Sequence, residues 1–327
     1  MDVCWITSRG IESRTADELP GLLERNDGFV WVDMATCDAE ARLVLEQVFR
    51  CHQFAVRDCL ERNFAPKLHA YPDSLFLVVH APLVGDLGQV HLLELDQFVS
   101  RHYLITVHGP LGEGVPLDSA LVETRQIRER LDSGRLRPNT PAELSHAIVS
   151  AIAHRQEDYV SRLATRVATL ERQVLGGAAI DTEQTLEELF RIRHELLTVR
   201  TMGAESREVY ARMVAIARFL PDDAKVYVDD LVDRFDRVRS LCDGEKEFLQ
   251  GILDYYQSRT ATKMNLAMER LALITAVVLP ITAIAGIYGM NVIVSNGTRP
   301  WHLAIVVAFM LAVSGVMLRY ARRQGWW

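Results

Sequence analysis

The sequence predicts an α/β N-terminal cytoplasmic domain followed by long α-helices and a two-helix transmembrane hairpin. Three observations carry this. Short alternating or β-branched runs, punctuated by Gly and Pro, fill the first 110 or so residues. Long helical stretches with charged faces follow from Pro141. Two charge-free apolar runs then lie near the C-terminus.

The strand candidates are Phe29–Val32, Leu75–Val79, Phe98–Ser100 and Tyr103–Val107, with a helical stretch at Ala39–Phe49. Breaks fall at Gly176-Gly177 and at Leu220-Pro221-Asp222, where Pro221 suits the first turn of the next helix. The expected divisions are an α/β domain over 1–140, a helical hairpin over 141–220 and a stalk helix over 221–270. A first span over 271–288, an external loop over 289–300, a second span over 301–318 and a basic tail over 319–327 complete the chain.

Composition narrows the function. The chain has 327 residues, 36 Lys and Arg against 43 Asp and Glu, and a net charge of −7. An acidic balance argues against nucleic acid as a partner. With 49% apolar residues, overall disorder is excluded. Cys4, Cys37, Cys51, Cys59 and Cys242 are odd in number and lack CxxC spacing, so they read as reduced thiols. The opening Met1–Arg14 segment has no apolar core, and no cleavable signal peptide is expected.

The apolar runs Leu271–Tyr288 and His302–Leu318 are apolar nearly all round. Each reaches about 26 Å as a helix, close to the thickness of a bilayer core of about 30 Å. Both read as transmembrane helices; the alternative is a buried hairpin of a soluble protein. Arg259, Lys263 and Arg270 precede the first run, and Arg319, Arg322 and Arg323 follow the second. The connection carries only Arg299. The positive-inside rule puts both termini in the cytoplasm of a cell-membrane protein, with Trp301, Trp326 and Trp327 as interfacial anchors.

No proline occurs between 222 and 279, so a single helix of about 100 Å is expected to run from the cytoplasm into the first span. Leu231, Phe235, Val238, Cys242, Leu249, Ile252 and Tyr256 form a stripe on it, interrupted at Glu245. That stripe is expected to pack on long helices of sister subunits; the alternative is an intramolecular helical hairpin.

Two helices cannot enclose a lumen, so transport requires a cyclic assembly in which each subunit lines an axis. Asn265, Met268, Ala272, Thr275, Leu279, Thr282 and Gly286 alternate in steps of 3 and 4 and share a face of the first span. Polar positions on that face could hold hydrated ions, and Met and Leu rings could close the path by dewetting. The small residues could instead be ordinary helix contacts.

The first span closes on Pro280-Ile-Thr-Ala-Ile-Ala-Gly-Ile-Tyr-Gly-Met-Asn291. This string resembles the CorA family of divalent metal ion transporters, whose signature is Gly-Met-Asn at the outer end of the first of two C-terminal spans. Asn265-Leu-Ala-Met268 is similar to the family's Asn-x-x-Met segment, and Tyr227-Val-Asp-Asp230-Leu-Val-Asp233 to its stalk-helix segment. The resemblance implies a homopentameric funnel embedded in membrane lipid, with a pore lined by the first span. Gly289, Met290 and Asn291 would form the selectivity filter, supported by Tyr288. Asn265 would be a lower polar ring, Met268, Leu271 and Leu279 hydrophobic constrictions, and Thr282 and Gly286 lining positions. Asn291 is also a suitable helix C-cap.

The ion that the resemblance implies is Mg²⁺, both permeant and regulatory, with no other cofactor, and Co²⁺ or Ni²⁺ as further permeant ions. Neutral amide oxygens can hold the hydration shell of an ion that dehydrates reluctantly. Asp230 matches the family's cytoplasmic metal sensor, with Asp233 and Asp86 as further metal-binding candidates. The alternative is that Asp229, Asp230 and Asp233 form a solvated face.

The chain departs from the family in three places. The loop after Asn291, Val-Ile-Val-Ser-Asn-Gly-Thr-Arg-Pro, has no acid, so external focusing of cations is weaker. Arg155, Arg162, Arg166 and Arg172 lie where the family is often acidic. Met268-Glu-Arg270 stands where a Met-Lys pair is usual. His52, His69, His80, His91, His102 and His108 lack close ligand spacing and read as surface histidines rather than a zinc site. The absence of P-loop, GxGxxG, GxSxG and HExxH patterns gives no support for an enzyme. Three readings stand: a Mg²⁺ uptake channel gated by internal divalent ions, a Zn²⁺ transporter of the ZntB type, and a non-conducting membrane-anchored sensor.

Overall fold

A computed structural model describes residues 1–85, 89–176, 182–216, 224–289 and 300–323. It divides into two units, Met1–Gln250 and Gly251–Trp327.

The first unit is built on a seven-stranded sheet. Its strands are β1 (Asp2–Thr7), β2 (Gly10–Arg14), β3 (Phe29–Met34), β4 (Lys67–Ala70), β5 (Ser74–Val84), β6 (Val90–Ser100) and β7 (Tyr103–His108). Their spatial order is β2-β1-β3-β7-β6-β5-β4, antiparallel except where β3 lies parallel to β7. Side chains alternate between faces, so each strand feeds two cores. Phe76 and Val78 of β5 join Trp5, Val30 and Phe98 on one face, under α1 (Leu19–Leu23), α2 (Ala39–Leu43) and α3 (Gln53–Leu60). Leu75, Leu77 and Val79 join Trp31, Leu95 and Leu104 on the other. Burial on both faces is why these strands read as continuous apolar runs. Local signals set the helix starts. Asp38 accepts a hydrogen bond from the Ala41 amide at 2.8 Å to cap α2.

The second face is covered by α5 (Val122–Asp132), which follows the short α4 (Leu117–Ala120), and by the long helices α6 (Pro141–Gly176), α7 (Thr182–Ile216) and α8 (Ala224–Gly289). Pro141 opens α6, where its missing N–H costs nothing, and Thr140 Oγ1 accepts from the Glu143 amide at 3.2 Å.

The stripe on α8 is covered by the chain's own α7. Leu231, Phe235, Val238, Cys242, Leu249 and Ile252 are all buried within the single chain. Tyr210 of α7 stacks on Phe235, with ring centroids 5.7 Å apart. Gly203 lets the helices close: a Cβ there would meet Val238 Cγ1 at 3.2 Å. The expectation of sister subunits as the stripe's neighbours is corrected for residues 224–250: the partner is intramolecular, because α7 supplies complementary apolar side chains together with Arg200 and Arg207, which pair with Asp243 and Asp236.

The histidine expectation is corrected in part. His80 and His108 are buried, not surface residues. His108 Nε2 lies 3.2 Å from both Asp33 Oδ1 and Thr124 Oγ1, and His80 Nε2 lies 2.9 Å from the Asn63 carbonyl. Strand pairing explains this, since both sit on strands buried on two faces. Among the described residues no group of three potential metal ligands occurs.

The second unit holds the remainder of α8 and α9 (Pro300–Arg323). Both helices are long and apolar enough to cross a membrane. Leu266, Leu271, Ile274, Val278 and Ile287 are exposed on different sides of α8, as are Ile305, Phe309, Leu311 and Val316 on α9. Exposed apolar side chains all round a helix suit lipid or other subunits, not water.

Candidate ion pathway and metal sensor

The candidate lining residues lie on one continuous helix. At about 100° per residue, Asn265, Met268, Leu271, Ala272, Thr275, Leu279, Thr282 and Gly286 fall within an arc of about 120° on α8. All are exposed in the single chain, Met268 by 57% and Leu279 by 63%. A shallow depression on this helix is lined by Met268, Leu271, Ala272, Thr275, Ala276, Leu279 and Pro280.

The polar atoms on this face have a defined sense. Thr275 Oγ1 donates to the Leu271 carbonyl and Thr282 Oγ1 to the Val278 carbonyl, each at 2.9 Å. Each hydroxyl proton is therefore held by the helix itself, and the outward lone pairs accept. Pro280 lies inside α8 and has no N–H, which deprives the Ala276 carbonyl of its helical donor. This adds another acceptor to the depression. No cavity at Gly286 is filled by a neighbour: a Cβ there would meet nothing within 4 Å.

Gly289 ends α8, and Tyr288 precedes it within the helix. Met290 and Asn291, the remaining filter candidates, lie outside the described residues, as does Asp86.

Asp230 and Asp233 sit one turn apart near the start of α8, and their surroundings differ. Asp233 is exposed. Asp230 is engaged twice through the same oxygen: Arg234 Nε donates to Oδ2 at 2.6 Å, and His146 Nε2 lies 2.7 Å from it. Burial pushes the Asp230 carboxyl up, but the hydrogen bonds from Arg234 and His146 outweigh it, leaving the group below the usual carboxylate range. Ser150 approaches His146 Nε2 at 3.4 Å, and the His146 ring lies 5.1 Å from that of Tyr227, whose hydroxyl donates to Glu143. The pair Asp230–Arg234 has the i, i+4 spacing of a helical ion pair and was readable in advance. His146 was not, because 84 residues separate it from Asp230.

A second polar group lies inside the α/β layers. Glu94 accepts from the Asn63 amide at 2.7 Å and from Asn63 Nδ2 at 2.6 Å. Two residues on, the carboxyl group of Asp96 is fully buried beside Glu94 and Cys59. Burial and the neighbouring charge of Glu94 push the Asp96 carboxyl upward. Strand alternation in Glu94-Leu-Asp96 puts both carboxyls on one face, a pattern present in the sequence and not singled out there.

The family described as "CorA-like Mg2+ transporter protein" matches residues 26–323. The "Putative metal ion transporter YfjQ" of Bacillus subtilis is 24% identical over 264 residues, covering 80% of this chain and 78% of that protein. The complete structure of the CorA magnesium transporter from Methanocaldococcus jannaschii superposes with a TM-score of 0.80 at 18% identity, covering 100% of this chain and 99% of that one. The full-length CmaX protein gives 0.76 at 18% identity, covering 99% and 97%. These two likenesses are of fold, and they extend over the sheet, the long helices and both apolar C-terminal helices. By the match over nearly its whole length, the chain belongs to the CorA-like family of membrane transporters for divalent metal cations.

Proposed function

We propose that the protein is a channel that admits Mg²⁺ down the membrane potential, assembled as a homopentamer and closed by divalent ions on the cytoplasmic side. The observation that carries this reading is the α8 face itself. It is a narrow polar and apolar stripe, exposed in the single chain, on a helix whose other sides suit lipid. Polar groups in a bilayer need protein or enclosed water around them, and a ring of such faces about a shared axis supplies both. The driving force is sufficient without a nucleotide: two charges crossing 100 mV gain about 4.6 kcal/mol.

In this reading Gly289, Met290 and Asn291 form the outer filter, with Tyr288 behind it. Asn291 presents a neutral amide to a hydrated ion. Asn265 makes a second polar ring, Thr282 and Gly286 line the wall, and Met268, Leu271 and Leu279 are the constrictions. Asp230, assisted by Asp233 and by Asp86 of a neighbouring subunit, binds the regulatory ion. Both termini lie in the cytoplasm of a cell-membrane protein.

The test is uptake of Mg²⁺, Co²⁺, Ni²⁺ and Zn²⁺ into liposomes holding the purified protein, under a negative internal potential. Mg²⁺ influx is expected, falling at least about tenfold in Asn291→Ala, since losing the ring removes every filter amide at once. The acid-free loop with Arg299 favours a second reading, a Zn²⁺ transporter of the ZntB type. Zn²⁺ flux dependent on a proton gradient would establish that reading instead. Absence of flux for all four ions would leave a non-conducting sensor, and normal transport by Asn291→Ala would remove the filter assignment.

A further inference from the structure

We infer that Arg234 acts as a built-in cation, with His146 as a second side chain on the same oxygen, that competes with the regulatory divalent ion for Asp230. The inference rests on the reading of Asp230 as the metal sensor and adds a determinant of its affinity. Both side chains converge on Oδ2 of Asp230, at 2.6 and 2.7 Å. A metal ion approaching that oxygen must displace a guanidinium that is tethered one turn away and never loses its charge.

The surroundings act in the same direction. Arg234 and His146 both line a cleft that also includes Arg130, Arg137, His154 and one acid, Glu143, which accepts from the Tyr227 hydroxyl. No ion pair of Arg130 or Arg137 occurs among the described residues, so their charges add to a positive field that disfavours an incoming cation. Further along α8 the same device recurs. Asp236 is held by Arg207 at 3.1 Å and Arg239 at 2.9 Å, and Asp243 by Arg200 at 2.5 Å. Three carboxylates of this helix, Asp230, Asp236 and Asp243, are thus held by arginines of the same chain, and at Asp230 a divalent ion finds a competitor already in place. The apparent affinity of a site open only part of the time falls by the open fraction.

The experiment uses the full chain in liposomes, with Mg²⁺ influx followed at a series of internal Mg²⁺ concentrations. Each variant is normalised to its own maximal flux, so the readout is the half-inhibiting concentration. Arg234→Gln is expected to lower that concentration by about two- to fivefold, the range of an exposed ion pair. His146→Gln should shift it in the same direction without touching Arg234, and Arg234→Lys should restore most of the wild-type value. Asp230→Asn should abolish inhibition, and the double variant Asp230→Asn/Arg234→Gln should match it. A purely structural role for Arg234 would lower thermal stability and leave the midpoint in place. If Asp230→Asn is inhibited like wild type, the sensor reading itself fails. If Asp230→Asn relieves inhibition while Arg234→Gln and His146→Gln keep the wild-type midpoint or raise it, the competitor inference is overturned and the sensor reading stands.

Discussion

The two halves of α8 belong to one unbroken helix and obey different rules. From Ala224 to Gln250 one stripe of apolar residues, from Val228 through Leu231, Phe235, Val238 and Cys242 to Leu249, is buried by the same chain, while Val226, Leu241 and Phe248 lie exposed off it. From Met264 onward, in the second unit, apolar residues spread round the helix and most stay exposed. The first pattern belongs to a helix with water on one side and a core on the other. The second belongs to one whose surroundings are apolar on most sides. A helix needs no break to pass from one medium to the other; only the distribution of its side chains changes.

The comparison can be broken by mutation, most strongly in the first half. Phe235 is fully buried against Tyr210, so Phe235→Ala should cost about 3–5 kcal/mol in an unfolding experiment on the purified protein. A loss below about 1 kcal/mol would mean that α7 does not cover the stripe. Gly203→Val tests the same contact from the other helix. Its branched side chain enters the space held by Val238, and a destabilisation of about 1–3 kcal/mol is expected from overpacking.

A smaller effect is expected at Asp96, where the sign reverses. Its carboxyl is raised in the folded state, so the folded chain keeps a proton that the unfolded chain releases from about pH 4 upward. Stability contributed by this group is present below the unfolded value and lost as pH rises towards the folded one. Asp96→Asn should therefore raise the melting temperature at pH 8 and flatten its decline from pH 5. An unchanged pH profile would show that Asp96 does not hold this proton.

The smallest change is expected at Ile274, which is exposed on the second half. Ile274→Ala in detergent should cost less than about 0.5 kcal/mol, the usual range for a residue without packed neighbours. A cost above about 1 kcal/mol would place it against a sister subunit instead of lipid.

These sites also mark what a sequence can disclose. The strands β3, β5, β6 and β7 are visible as apolar runs because both their faces are buried. β2 and β4 are not, because β2 is half polar at the sheet edge and β4 is four residues long with one buried side chain, whereas β1, as long as β3 and as apolar at its centre, carries the same signal. The α8 stripe is legible from spacing, but spacing names a face and not the neighbour that covers it. Asp230 is recognisable from its segment. Its engagement with His146 is not, since contacts between helices depend on how the chain returns. The lining face from Asn265 to Gly286 follows from periodicity alone; the ends of the path at Met290 and Asn291 rest on resemblance.

The bonding of Thr275 and Thr282 has one further consequence for the proposed pore. Waters around a cation turn their oxygens inward and their hydrogens outward, whereas waters around an anion do the reverse. Hydroxyls that have already committed their hydrogens to Leu271 and Val278 can welcome only the first kind of shell. The wall can thus discriminate by the sign of the traveller's charge while carrying no charge of its own.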